Sequence, residues 1–176
     1  MLLTNPYQFT QDFQFHKDLM TQLVEQTQAK RILELGSDVG DSTRIFASAL
    51  AYFGGNLWTI DINPPKWNQE WMDGLYNFTA ITEDTLNPEL KWDKEVDILF
   101  IDDDHTYPHV LEELKKFGPW VRRGGYILLH DTQHSQYGTQ VTQSINEWTR
   151  QVKLKWEDHP EGHGMGVISV DKSLRH

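Results

Sequence analysis

Two short runs of acidic and histidine residues each follow an apolar stretch of the chain. Residues 102–105 read Asp-Asp-Asp-His and come directly after the apolar run 96–101, and His130-Asp131 follow the apolar run 126–129. Adjacent carboxylates repel one another unless a cation lies near them. Carboxylate oxygens with at most one imidazole suit Mg²⁺, Ca²⁺ or Mn²⁺ better than zinc. We predict a divalent-cation site formed by Asp102, Asp131 and His130.

The residues that follow Asp102 include two candidates for moving a proton. An imidazole such as that of His105 titrates close to neutral pH and can act as a general base. The carboxylate of Asp104 is the second candidate. The alternative is a hydrated acidic loop that caps the next helix, with His130 bonded to the backbone.

A glycine-containing turn after the first apolar run provides a candidate ligand site. Glu34 lies at the end of that run, and Gly36 and Gly40 follow it. The turn lacks the lysine of a phosphate-binding loop, and Asp38 occupies the position of the second glycine in a GxGxxG pattern. Asp61 follows the next apolar run, 21 residues after Gly40, where it could accept hydrogen bonds from both hydroxyls of a ribose.

A third pair of acids, Glu83 and Asp84, follows the run 78–81 and could reach the amino group of an adenine. Together, the three strand-end positions predict a nucleoside site. The alternative is that the glycines only form a tight turn and that the acids are solvated caps.

These side chains would be positioned by alternating strands and helices. The predicted strands are 31–35, 57–60, 78–81, 96–101 and 126–129, the last preceded by a turn at 123–125, and the predicted helices are 12–30, 42–52, 69–76, 108–117 and 139–152. Such alternation predicts a parallel sheet with helices on both faces. Segments 154–157 and 166–170 flank a Gly/Pro turn and predict an antiparallel hairpin. We expect one α/β domain over residues 1–176, with a mostly parallel seven-stranded sheet on which the helical segment 1–30 packs.

Composition excludes several functional classes. The 176 residues carry a formal net charge of −10, which argues against nucleic acid and anionic membranes as partners. Cysteine is absent, which excludes disulfides and thiolate metal sites. No leader pattern and no run of 18 apolar residues occur in the sequence, so we expect a cytoplasmic protein. The sequence leaves self-association open.

Between about residues 31 and 170 the chain resembles the class I S-adenosylmethionine-dependent methyltransferases, in particular the small macrocin-type and cephalosporin-hydroxylase-like O-methyltransferases. The segments that carry this resemblance are 33–43, 60–63, 100–107 and 124–132. It implies a Rossmann-like methyltransferase fold. In many metal-using relatives an acid stands at the position of His130, and in the family a glycine stands at the position of Asp38.

The resemblance also implies roles for individual residues. Asp102 and Asp131 match positions that hold a divalent cation beside the acceptor hydroxyl, and Asp104 or His105 matches the expected base. The implied cofactor-binding residues are Glu34, Gly36, Ser37, Gly40, Asp61, Glu83, Asp84 and Asp102. The methionine end of the cofactor would lie over Glu34, Gly36 and Gly40.

The predicted reaction is therefore methyl transfer from S-adenosylmethionine to an oxygen of a small molecule, with assistance from Mg²⁺, Ca²⁺ or Mn²⁺. Two alternatives stay open. One is a cofactor-binding module of the same fold without catalysis, because fold alone does not establish chemistry. The other is an NAD-dependent oxidoreductase, which the incomplete glycine pattern and the terminal hairpin disfavour.

Overall fold

The computed structural model describes residues 9–67 and 74–175, which form a seven-stranded sheet covered by helices. The strands are β1 (Arg31–Leu35), β2 (Asn56–Asp61), β3 (Phe78–Thr82), β4 (Val96–Ile101), β5 (Val121–His130), β6 (Trp156–His159) and β7 (Met165–Ser169). The α-helices are α1 (Gln11–Thr27), α2 (Asp41–Phe53), α3 (Tyr107–Phe117) and α4 (Gly138–Val152). The helix predicted at 69–76 lies mostly outside the described residues.

The strand order is β3-β2-β1-β4-β5-β7-β6. The first five strands are parallel, and β7 runs antiparallel to both β5 and β6. This arrangement confirms the predicted mostly parallel sheet with a C-terminal hairpin. No helix among the described residues is long and apolar enough to cross a membrane.

The central strand β4 is buried along its whole length because helices cover both faces of the sheet. Successive strand side chains point to opposite faces. Ile98 and Phe100 therefore pack with the apolar residues of α1 and α2, whereas Leu99 and Ile101 pack with those of α3 and α4. The two layers hold the ends of the parallel strands at one edge of the sheet.

The fifth strand begins earlier than the sequence predicts. The turn expected at 123–125 lies inside β5, which starts at Val121 and pairs there with Val96 before the register shifts. Gly124 has a φ of +83°, and a Cβ on Gly125 would lie 2.8 Å from a methyl carbon of Val121. The glycine pair thus forms an irregularity within the strand, which local sequence alone does not distinguish from a turn.

Candidate active site at the carboxyl edge of the sheet

A cleft at the carboxyl edge of the sheet lies where the strand order reverses. Strand β1 pairs with β2 on one side and with β4 on the other, so the strand order runs outward from β1 in both directions. Ligands of open α/β sheets bind at such a point. The cleft has a volume of about 380 Å³. Its lining residues are Gly36, Asp38, Asp61, Ile62, Asn63, Pro64, Lys66, Asp84, Thr85, Asp102, Asp103, Asp104 and His109.

Gly36 allows the ends of β1 and β4 to meet at the floor of this cleft. Its φ is +84°, and a Cβ there would lie 2.6 Å from the carbonyl carbon of Asp102. The Gly36 amide donates to the Ile60 carbonyl at 2.8 Å, and the Asp102 amide donates to the Leu35 carbonyl at 2.8 Å. Asp38 adopts a φ of +34°, so it keeps a left-handed conformation although it is not glycine.

Asp61 braces the glycine turn from the end of β2. Its Oδ2 accepts the amide hydrogens of Ser37 at 2.9 Å and Asp38 at 3.1 Å, while Oδ1 accepts that of Asn63 at 2.8 Å. Partial burial alone would raise the pKa of Asp61, but these hydrogen bonds outweigh it and lower the pKa below its ordinary value. An ionised acceptor thus stands at the position predicted for a ribose.

Glu34 lies beneath the cleft and does not line it. The side chain is fully buried, and Oε2 accepts the Thr43 hydroxyl at 2.6 Å. Burial raises the pKa of Glu34 to about 7, because the charged form loses its hydration. Glu34 supports the start of α2 from below, and its contact with the cofactor stays a prediction.

Gly40 immediately precedes α2 and has a φ of +92°. A Cβ on Gly40 would lie 3.1 Å from two carbon atoms of Trp67, so the Trp67 side chain packs against the glycine.

The two acids that follow β3 differ in position. Asp84 lines the cleft, whereas Glu83 does not belong to its lining and instead accepts the Asp84 amide hydrogen at 3.0 Å. The adenine contact stays a prediction for both acids.

A second, smaller cleft of about 170 Å³ continues from the first toward the start of α1. Ser37 lines it together with Thr10, Asp12 and Phe13, and Asp102 lines both clefts. The Thr10 amide donates to Asp41 Oδ2 at 2.8 Å, which attaches the entrance of α1 to the first turn of α2. The N-terminal helix, predicted only to cover the sheet, therefore forms part of the site.

Four side chains at the ends of β4 and β5 form a group that we call the Asp102 cluster: Asp102, His105, His130 and Asp131. His105 Nε2 lies 3.2 Å from Asp102 Oδ1 and 3.0 Å from Asp131 Oδ2. His130 Nδ1 lies 3.3 Å from an oxygen of each aspartate. The predicted convergence of the two strand ends is present in the structure.

Mutual interactions change the proton affinities within the Asp102 cluster. Burial opposes charge on both partners, but the two aspartates outweigh it at His105 and raise its pKa to about 10. Likewise, His130 and His105 outweigh burial at Asp102 and lower its pKa to about 2. At neutral pH the protonated imidazole thus offsets part of the carboxylate charge.

The donor atoms of this cluster also fit a divalent cation. Adjacent ligands of an octahedral cation with bonds of about 2.1 Å are separated by about 3.0 Å. His105 Nε2 lies close to that distance from both carboxylates, and the three groups present their ligand atoms within 4.8 Å of one another. Thr132 follows Asp131, but its hydroxyl donates to Asp158 at 2.6 Å and is already engaged.

Asp104 makes no hydrogen bond to the described residues of this cluster. Its side chain is exposed, lines the larger cleft and accepts the Thr106 amide at 2.8 Å ahead of α3. Of the two predicted proton acceptors, His105 is therefore the one in contact with both Asp102 and Asp131.

Sequence reasoning missed further residues beside the Asp102 cluster. His163, in the turn between β6 and β7, places Nδ1 3.2 Å from Asp12 Oδ2 and 3.4 Å from Asp131 Oδ1. The ring of Phe13 stacks on His130 with centroids 4.9 Å apart. These residues come from opposite ends of the chain, so no local pattern relates them.

A family model described as "Methyltransferase domain" matches residues 33–132, a span that contains the glycine turn, Asp61 and the Asp102 cluster. The chain belongs to this methyltransferase family. This match confirms the resemblance to methyltransferases that the sequence motifs carry. The family match supports methyl transfer over the nicotinamide-dependent alternative.

Solved structures share the methyltransferase fold. A Klebsiella pneumoniae protein provisionally described as an O-methyltransferase is 21% identical with a TM-score of 0.72, covering 96% of this chain and 84% of its own. The O-methyltransferase TomG of Streptomyces achromogenes, solved with S-adenosylmethionine, is 17% identical with a TM-score of 0.63, covering 89% of this chain and 80% of its own.

A curated relative from Sinorhizobium fredii, described as uncharacterized, is 25% identical over 171 residues, which are 86% of this chain and 18% of the relative. Another match is to a protein of Acanthamoeba polyphaga mimivirus. The chain spans less than a quarter of the length of either curated relative, at 24% and 18%.

Proposed function

We propose that this methyltransferase transfers a methyl group from S-adenosylmethionine to a hydroxyl oxygen of a small molecule that lies against the Asp102 cluster. The observation that carries the proposal is the position of Asp102, which lines both clefts and also contacts His105 at 3.2 Å. A ligand that fills the two clefts would thus end beside a pair of carboxylates and an imidazole.

The cofactor would extend across both clefts. Its adenosine would occupy the larger one, with the ribose hydroxyls donating to Asp61 and the adenine near Asp84. Its methionine part would occupy the smaller one, between Ser37 and the start of α1. The sulfonium would then lie near Asp102, which the two clefts share.

Asp102 and Asp131 are the residues that would hold a divalent cation, with His130 as the nitrogen ligand. When bound, such a cation would lower the pKa of an acceptor hydroxyl. The chain itself would align that hydroxyl with the methyl group, which accounts for much of the catalysis of such a transfer.

His105 is the residue that we assign to proton removal. With both aspartates facing it, its pKa of about 10 keeps the imidazole protonated at neutral pH. His105 can therefore accept a proton only when the two carboxylates are engaged by another partner. Binding of a cation to Asp102 and Asp131 would thus favour release of the proton from His105.

The acceptor would be an uncharged or cationic molecule. The chain has a formal net charge of −10, and the larger cleft alone contains six aspartates, Asp38, Asp61, Asp84, Asp102, Asp103 and Asp104. Such a surface disfavours anionic ligands. Near His105, the rings of Tyr137 and His134 are stacked at 4.9 Å and offer flat surfaces for an acceptor.

The test is transfer of a labelled methyl group to a panel of phenols, catechols and sugars, with and without Mg²⁺. We expect Asp131→Asn and His105→Gln to reduce turnover by about 10²- to 10⁴-fold, the usual contribution of a proton-transfer group. Asp104→Asn is the matched control, and its turnover should stay within a few-fold of the parent. Cofactor binding without turnover on any acceptor would instead favour the non-catalytic module.

A further inference from the structure

A second group of metal-type ligands lies at the larger cleft, to whose lining two of its three members belong. We call it the Glu113 cluster: Asp103, His109 and Glu113, which present one ligand atom each within 4.8 Å of one another. Asp103 follows β4, whereas His109 and Glu113 are four residues apart on α3 and so share one face of that helix. None of these residues belongs to the Asp102 cluster.

The distances within the Glu113 cluster are those of ligands around one small cation. His109 Nε2 lies 3.4 Å from Asp103 Oδ2 and 3.5 Å from Glu113 Oε1. A tetrahedral cation with bonds of about 2.1 Å separates its ligands by about 3.4 Å. Ligand type alone favours Mg²⁺ or Mn²⁺ for one imidazole and two carboxylates. Separations of 3.4 and 3.5 Å nevertheless exceed the octahedral value of about 3.0 Å and fit tetrahedral zinc, which also accepts carboxylate and imidazole ligands.

The buried carboxylate of Glu113 lacks hydrogen-bond donors among the described residues. Its side chain is fully buried, and neither carboxylate oxygen accepts a hydrogen bond from any described residue. The nearby His109 nitrogen is also 3.2 Å from the Thr85 hydroxyl, which itself donates to Asp103. One nitrogen bears at most one hydrogen, so it cannot satisfy Asp103, Thr85 and both oxygens of Glu113.

We propose that Asp103, His109 and Glu113 bind a second divalent cation of the zinc type, separate from any cation held by Asp102 and Asp131. A cation can bind all three groups at once, which a single N–H cannot. It would complete the coordination of a buried carboxylate whose ion pair with His109, at 3.5 Å, is long.

The position of this site points to a structural role at the cofactor cleft. Asp103 and His109 line the larger cleft beside Thr85, which follows β3. A cation there would join the loops after β3 and β4 to α3. Those loops carry Asp84 and Asp102, so the cation would fix the two sides of the cofactor cleft relative to each other.

Metal stoichiometry tests the inference without reference to methyl transfer. The parent for this test is Asp131→Asn, which removes one of the two carboxylates of the Asp102 cluster but leaves the Glu113 cluster intact. After dialysis against micromolar free Zn²⁺, we expect one bound equivalent in this parent and none once Glu113→Gln is added. With Co²⁺, the parent should develop visible absorption that the added substitution abolishes.

Glu112→Gln in the same parent is the matched control, since it removes the same charge from the neighbouring, exposed position on α3. We expect it to retain the bound equivalent. His109→Gln provides a second variant in case Glu113→Gln alters folding, which circular dichroism would reveal. Absence of zinc from the parent, or its retention in both Glu113→Gln and His109→Gln, would overturn the proposal and leave the proposed methyl transfer untouched.

Discussion

At the scale of single residues, Glu34 and Asp61 illustrate how burial separates two acids on neighbouring strands. Asp61 receives three backbone amides and its pKa is lowered, whereas Glu34 is fully enclosed and its pKa rises to about 7. Asp61 is therefore ionised at neutral pH and accepts hydrogen bonds as an anion. Glu34 is neutral below neutral pH and contributes to the support of α2.

The raised pKa of Glu34 makes stability depend on pH. Between about pH 4.5 and 7 the folded protein keeps a proton on Glu34 that the unfolded chain has released. The contribution of this group to the free energy of unfolding therefore decreases as pH rises through that window, by on the order of 3 kcal/mol, and levels off above it.

Glu34→Gln should remove this dependence, because glutamine does not titrate. We expect the variant to gain stability over the parent as pH rises from 4.5 to 8, measured by urea unfolding at each pH. The exposed Glu112→Gln serves as the control for loss of a surface charge. Parallel curves for Glu34→Gln and the parent would show that Glu34 is not the titrating group.

At the scale of elements, the site depends on how closely β1 and β4 approach at the glycine turn. Gly36→Ala introduces a methyl group into the backbone of Asp102 and also strains a φ of +84°. We expect a loss of about 3 kcal/mol or more in the free energy of unfolding, because the neighbouring atoms are backbone and cannot move aside.

Gly74→Ala is the control for Gly36→Ala, because it introduces the backbone strain of a positive φ without a steric clash. Gly74 has a φ of +85°, but no described atom lies within 4 Å of the place that a Cβ on this residue would occupy. That change should cost only about 1–2 kcal/mol, the strain of a left-handed residue. Equal losses for the two glycines in urea unfolding would refute the importance of the close approach.

The same elements explain which features were predictable from sequence. Strand β4 is buried on both faces, so its apolar run, interrupted only by Asp97, identifies it, and the acids at its end mark the site. By contrast, the glycine pair in β5 was mistaken for a turn, because the pairing of Val121 with Val96 is a tertiary contact.

The contributions of Asp12 and His163 to the site were likewise beyond sequence reasoning, since the fold joins residues 151 positions apart. The Glu113 cluster was partly accessible. His109 and Glu113 have the four-residue spacing of one helix face, within a helix that the pattern predicted. What the sequence did not contain was the burial of Glu113 or the approach of Asp103.

At the scale of the whole molecule, the cofactor should stabilise the fold, because its two clefts are built from β1, β2, β4 and the start of α1. S-adenosylmethionine at 100 times its dissociation constant should add about 2.7 kcal/mol. For a chain of 176 residues this raises Tm by about 5–10 °C. Tryptophan fluorescence during heating would measure it, with NAD as the control ligand. A shift with NAD alone would contradict the cofactor assignment.

The aspartates that line the larger cleft have a further consequence for turnover. S-adenosylmethionine carries a sulfonium, whereas the demethylated product is electrically neutral overall. The same carboxylates therefore attract the reactant at long range and lose that attraction when the methyl group has left. Each catalytic cycle would thus weaken the hold on its own product, and added salt should reduce the thermal shift given by the reactant more than that given by the product.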